Sequence, residues 1–498
     1  MALGGGLLYT VSMKKIILVL LLLVSACAPR TAEKYTSFNV SDPVALRMLL
    51  AEMPKGADLH THLSGIPYAE DYLCWAAEDG SCIDIASGKI VSGPCGNGTV
   101  AARTAYTDAF VWNTAVNSLS VREGRRDNHM WGHDQFFSTF GKMGASKKDK
   151  GRLLAHAVKQ AERDKVQYLE VMISIYGPKW VSPWAKQVGW SEDVETTFMN
   201  LKLAGLFDGI AQAISSIDQA EIRKRQLVGD GAGKDVEVRY INQIFRGIDP
   251  AYVFAQLAWS FELVHRDPRV VGINMVGPED APIAVRDYAL HMTMLDFLHQ
   301  QYPDVSITLH AGELTGGLTS PEALSDHISM AVTKGHATRI GHGVDLAYED
   351  GARDLLKLMK DRGVALEVLL GSNRAILHVE GKEHPLRTYM KGGVPVVIAS
   401  DDMGVARSTM TDEYMLAVTD QGLSYADLKR SARNSLEYSF LPGKSLWKNR
   451  AAFEMVEDCY GDITPDKECS NYLSESVKAK QQWNLERKIK MFEKKYGF

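Results

Sequence analysis

Short apolar runs recur along the chain at 57–62, 166–175, 236–245, 270–276, 305–310, 338–343, 364–370 and 394–400, and each has the length and composition of a strand. The runs at 270, 364 and 394 are apolar at odd and even positions alike, as parallel strands buried on both faces are. Between the runs, residues 153–161, 252–264, 283–299, 321–334 and 352–360 place apolar side chains every three to four positions, which predicts helices with one buried face. Strands alternating with helices imply parallel βαβ units, and eight such strands predict an α/β fold of the (β/α)8 TIM-barrel type.

Two segments fall outside this alternation. Residues 74–131 are rich in glycine and aromatics and read as an insertion after the first strand. Residues 447–498 read as a C-terminal helical extension that ends in a lysine-rich amphipathic helix at 478–495. The expected division is 1–26, 27–50 (tether and N-terminal helix), 51–446 (barrel) and 447–498.

The first of these segments has the layout of a secretory signal: Met13-Lys14-Lys15, an apolar run from Ile16 to Val24, then Ser25-Ala26-Cys27. Val24-Ser25-Ala26-Cys27 looks like a bacterial lipobox, in which Cys27 is acylated and becomes the mature N-terminus. The expectation is an exported lipoprotein, in the periplasm or on the outer membrane, that meets the membrane through a lipid anchor at Cys27. Export would place Cys74, Cys82, Cys95, Cys459 and Cys469 where disulfides persist. Cys82 and Cys95 flank one glycine-rich stretch and Cys459 and Cys469 another, so each pair could close a local loop and leave Cys74 free; the spacing alone does not settle the connectivity.

The whole chain carries 45% hydrophobic and 23% charged residues with a formal charge of −5, which gives no sign of a polyelectrolyte face for nucleic acid and favours a small-molecule partner. An oligomeric state is not specified; a homodimer is one option.

Ionisable residues gather where the apolar runs end. His60-Thr61-His62 closes the first strand with both imidazoles on one side, His310 and Glu313 follow the fifth, His342 the sixth, and Asp401-Asp402 the eighth. In (β/α)8 barrels that C-terminal rim is where active sites are built. Three histidines and Asp401 form a nitrogen and oxygen donor set suited to zinc, expected as one Zn2+ per chain. Glu313, three residues after His310, is placed to deliver a proton, and His342 and Asp402 to orient and deprotonate an attacking water.

These motifs, His60-Thr61-His62-Leu63, Leu309-His310-Ala311-Gly312-Glu313, Arg339-Ile340-Gly341-His342-Gly343, Ser372-Asn373 and Ser400-Asp401-Asp402, resemble those of the adenosine deaminases and occur in family order. Met53-Pro54-Lys55-Gly56 and His384-Pro385 look most like the secreted, growth-factor-related branch, which carries a disulfide-bearing insertion after strand one. The resemblance implies zinc on His60, His62, His310 and Asp401, proton transfer from Glu313 to purine N1, attack of water at C6 with His342 and Asp402 positioning it, and loss of ammonia. It also places Gly277 against the purine ring. Ser64 stands where many members have an aspartate that meets the ribose hydroxyl.

The expected activity is therefore hydrolytic deamination of adenosine, a purine nucleoside, and of 2'-deoxyadenosine. The alternatives are another aminopurine on the same barrel (adenine, an N6-substituted adenosine or a nucleotide) or an inactive exported binding or signalling relative.

Overall fold

The computed structural model describes residues 38, 40–124, 128, 130–175, 178–460 and 464–498. The signal-like segment and Cys27 lie outside the described residues. An eight-stranded parallel sheet runs in sequence order through β1 (Gly56–His62), β2 (Val166–Ile173), β3 (Glu237–Phe245), β4 (Val270–Val276), β5 (Ser306–Ala311), β6 (Arg339–His342), β7 (Ala365–Val368) and β8 (Val396–Ile398). A parallel bridge between Thr61 and Asp401 brings the last strand back to the first, and the sheet is the predicted (β/α)8 barrel.

The barrel forms because most of its strands have no solvent face. Every residue of β1, β2, β6, β7 and β8 is buried. The helices outside supply the second layer. In Pro250–Arg266, Asp249 accepts the Ala251 N–H and proline occupies the first turn, so the helix starts in one place and buries an apolar face that includes Phe254, Trp259 and Phe261. Among the described residues no helix is long and apolar enough to cross a membrane.

The elements are shorter and more broken than the sequence pattern predicts. The strand expected at 364–370 ends at Val368, because Leu370 already begins the helix Leu370–Leu377. The helix expected at 283–299 is two, Pro282–Arg286 and Tyr288–Gln301, which meet at Asp287, and the one expected at 321–334 is confined to His327–Thr333. Three helices between β2 and β3, Pro178–Val188, Val194–Leu203 and Ile210–Val228, had no counterpart in the pattern.

The insertion holds the helices Ala69–Glu78, Ala109–Ser118 and Trp131–Thr139 and a small sheet of Cys82–Asp84, Ile90–Val91 and Thr99–Ala101, so it runs past residue 131. Cys82 is bonded to Cys95 within it, Cys459 to Cys469 in the extension, and Cys74 is free and exposed. The C-terminal helix Val477–Tyr496 turns Leu485, Ile489 and Phe492 inward against the barrel base.

Candidate metal centre and active site

All the rim residues expected from the sequence come together. His60 and His62 end β1, His310 is in β5, His342 ends β6, and Asp401 and Asp402 follow β8. His60 Nε2 lies 3.1 Å and His62 Nε2 3.3 Å from His310 Nε2. Asp401 Oδ1 is 3.4 Å from His62 Nε2 and 3.9 Å from His60 Nε2. Two nitrogens each about 2.0–2.1 Å from a tetrahedral zinc stand roughly 3.3 Å apart, so these separations fit that ion.

Proton bookkeeping points the same way. Glu367 Oε2 lies 2.6 Å from His60 Nδ1, and Asn274 Oδ1 lies 2.8 Å from His310 Nδ1 while also accepting the His310 backbone N–H at 3.2 Å. The Gln243 amide meets His62 Nδ1 at 2.5 Å. An imidazole that donates from Nδ1 presents a bare lone pair at Nε2. With both rings neutral, two such lone pairs, on His60 and His310, face each other and a cation between them satisfies both; without one, burial would lower His60 but Glu367 and Asp401 outweigh it and raise it toward the protonated form. Burial holds His310 well below its usual range and His62 down to about 4, the neutral form that binds a metal.

The backbone is bent to make this cluster. His342 has φ +71° and Asp401 φ +57°, left-handed values that side-chain-bearing residues adopt at a cost of roughly 1–3 kcal/mol each. Asp401 is held there from both sides: its N–H donates to His60 O at 2.9 Å, and Thr61 Oγ1 donates to its carbonyl at 2.9 Å. At Gly341 a Cβ would come within 2.6 Å of His60 Cε1, so glycine in β6 makes the room the ring occupies.

Glu313 follows β5 and is 6% exposed, with Oε1 3.6 Å from His342 Nδ1. Burial, reinforced by Asp401 and Glu279, pushes its carboxyl well above the usual range, which favours the protonated form. Asp402 is pushed up by burial and by the neighbouring Asp401 carboxylate, a charge that a cation held by Asp401 would offset, and its Oδ1 has no protein partner among the described residues. Gly277, with φ +96°, follows β4, and its carbonyl accepts two bonds from Arg246, at 3.0 and 2.9 Å. Ser64 lies just past His62, and its carbonyl accepts the Tyr72 hydroxyl at 2.7 Å.

Several residues that build the site were not anticipated. Glu367 is bound by Arg339 at 2.6 Å, and Arg339 also reaches Glu170 at 2.7 Å. Burial would raise Glu367, but Arg339 and His60 outweigh it and hold the carboxyl down to about 2. Glu279 accepts the backbone N–H groups of Gly312 and Glu313 and lies 2.7 Å from His327 Nδ1. A charge inside an apolar strand, as in Ala365-Leu366-Glu367-Val368, is the signal that could have flagged Glu367.

The insertion reaches over this rim. Val121 N–H donates to Val405 O beyond β8, and Gly132 packs so closely on Ala375 beyond β7 that a Cβ there would meet its carbonyl at 2.0 Å. On the opposite wall, His133 Nε2 lies 2.9 Å from Asp280 in the loop after β4.

A (β/α)8 barrel with a buried histidine and aspartate cluster at its C-terminal rim is an arrangement suited to a metal-dependent hydrolase of the amidohydrolase kind. The family model for adenosine deaminase matches residues 122–452, and the chain belongs to that family. It is 33% identical over 211 residues to an adenine deaminase of Sinorhizobium medicae, a match covering 42% of this chain and 59% of that protein. The chain thus spans less than two thirds of the length of this curated relative. Among solved structures it resembles an N6-methyl-AMP deaminase from Arabidopsis thaliana (19% identity, TM-score 0.51, 80% of this chain and 94% of that one). It also resembles a zinc-bound amidohydrolase from Burkholderia ambifaria (15% identity, TM-score 0.51, 94% and 97%). At these identities the structural likeness is one of fold.

Proposed function

We propose that the protein is a zinc-dependent hydrolytic deaminase of an aminopurine and that free adenine, rather than adenosine, is its main substrate. The observation that carries the reaction class is the convergence of four metal donors with a buried Glu313 and with an Asp402 whose Oδ1 has no protein partner among the described residues. The preference for the base is supported by the curated relatives, which are named adenine deaminases, and by Ser64. With Ser64 where many family members place an aspartate against the ribose, the chain has a neutral hydroxyl at the position of that charged anchor. This reading replaces adenosine, the substrate expected from the motifs, by one of the alternatives weighed beside it.

His60, His62, His310 and Asp401 would hold the zinc. When bound, the zinc supplies a nucleophilic water near neutral pH. The chain does the rest. Glu313 gives its proton to ring N1 while water oxygen bonds to C6, and Asp402 takes a proton from that water. The C6–N6 bond then breaks, protons return through the same two carboxyls, and ammonia leaves. The balance is adenine plus water to hypoxanthine plus ammonia.

The test is a spectrophotometric panel of adenine, adenosine, 2'-deoxyadenosine and N6-methyladenosine with zinc-loaded protein. Turnover of adenine above the others is the expected result. Turnover of adenosine alone would restore the nucleoside reading, and zinc without turnover of any aminopurine would overturn the enzyme assignment.

Export through the 1–26 segment and anchoring through Cys27 are proposed with it. The disulfides Cys82–Cys95 and Cys459–Cys469 support a life in an oxidising compartment. Cys27→Ser should move the protein from the membrane to the soluble fraction; retention on the membrane would refute the anchor.

A further inference from the structure

His342 Nδ1 sits at the end of a hydrogen-bond chain whose direction is fixed at its far end. Leu386 N–H can only donate, and it donates to His384 Nδ1 at 3.2 Å. His384 is buried, and burial lowers it to about 4, so the ring is neutral and its one proton sits on Nε2. That Nε2–H lies 3.0 Å from the Asn373 side-chain amide and must meet its oxygen. The amide nitrogen of Asn373 therefore turns to His342 Nδ1, 2.8 Å away, and donates to it. Glu313 Oε1, the other group on that side, is 3.6 Å from Nδ1, beyond hydrogen-bonding distance.

We propose that Asn373 and His384 are positioning residues that lock His342 in the tautomer protonated on Nε2. His342 then donates a hydrogen bond to the attacking water instead of accepting its proton. Nε2 is buried and has no protein partner among the described residues, so water is free to take that bond. The division of labour follows from the direction of the chain. His342 holds the water oxygen, and Asp402 is left as the group that receives the proton. This revises the reading from sequence, in which His342 and Asp402 shared the deprotonation.

The inference rests on the deaminase reading for its kinetic consequence, but not for the tautomer itself. In protein labelled with 15N-histidine and loaded with zinc, with the His342 resonances assigned through His342→Gln, wild type should show a proton on Nε2 and a bare Nδ1. Asn373→Asp has the same shape but can only accept. It should draw the proton of His342 to Nδ1, invert the pair of nitrogen signals and lower kcat about a hundredfold or more, with KM within about threefold. His384→Gln, which keeps an N–H at that place, should retain most of the activity, whereas His384→Leu should lose it.

A wild-type His342 protonated on Nδ1, or an Asn373→Asp enzyme with unchanged kcat, would overturn the proposal. Should Asn373→Asp fail to fold, the His384 pair decides: equal activity in His384→Gln and His384→Leu also overturns it. A wild-type protein that turns over no aminopurine would defeat the deaminase reading while leaving the nitrogen spectrum to report the tautomer.

Discussion

Glu279 holds Glu313 by its backbone. One carboxylate oxygen accepts the Glu313 N–H at 2.9 Å and the other the Gly312 N–H at 3.1 Å, which fixes the point from which the Glu313 side chain reaches into the site. In Glu279→Gln one of the two acceptors becomes a donor that faces an N–H, and Glu313 is displaced. Turnover should fall about a hundredfold, the cost typical of a small misplacement of a reacting group, with zinc content unchanged. Steady-state kinetics beside metal analysis of the same preparation checks this; an unaltered kcat would remove the role.

Glu313→Gln deletes the transferable proton and leaves every metal donor in place. Zinc should be retained while kcat drops between about a hundredfold and ten-thousandfold, the usual range for a general acid. Because burial raises this carboxyl and its protonated form is the active one, wild-type activity should hold through neutral pH and decline as pH rises past the raised pKa. A pH–rate profile with no alkaline limb would be inconsistent with Glu313 as the acid.

Glu367 fixes the proton of His60 on Nδ1 without touching the metal position. Glu367→Gln should weaken zinc binding by about tenfold to a hundredfold, as loss of a partner behind a ligand does. Competition with a chelator of known affinity measures it.

Glu279 also sets a pH dependence of stability. Burial would raise its carboxyl, but His327 and Arg246 outweigh this and hold it down to about 2, against an ordinary value of 4.5. A depressed carboxyl stabilises the fold fully above its unfolded value, and that contribution is lost as pH falls through the folded one. The melting temperature of wild type should therefore exceed that of Glu279→Gln most clearly above about pH 4.5, and the gap should close toward pH 2. A gap independent of pH would mean that the charge contributes nothing.

The barrel was legible because its evidence is local: eight apolar runs, each short and each followed by helical spacing, need no knowledge of what lies across the core. The rim residues were legible for a related reason, since His60, His310, His342 and Asp401 each interrupt or close an apolar run where packing has no use for a charge. Their partners were harder to see. Glu367, Asn274, Gln243 and Glu279 sit within strands or one turn past them, and a buried polar residue declares its purpose only when its partner is known. His60 and Glu367 are 307 residues apart in the chain. The helices between β2 and β3 escaped notice for a different reason: Pro183 inside Pro178–Val188 breaks the propensity signal that tertiary packing overrides.

The insertion contributes none of the seven rim residues, yet it spans from beyond β8 and β7 to the loop after β4. Beneath it no residue of the cluster is more than 7% exposed. Buried to that degree, the cluster is reached past the insertion or the loops that face it. The barrel strands and the loops that follow them carry the seven rim residues and the groups that hydrogen-bond them, while a surface segment closed by its own disulfide can change length and composition without disturbing them. Family members with the same seven residues thus have a structural route to different diets: altering the doorway and leaving the hearth alone.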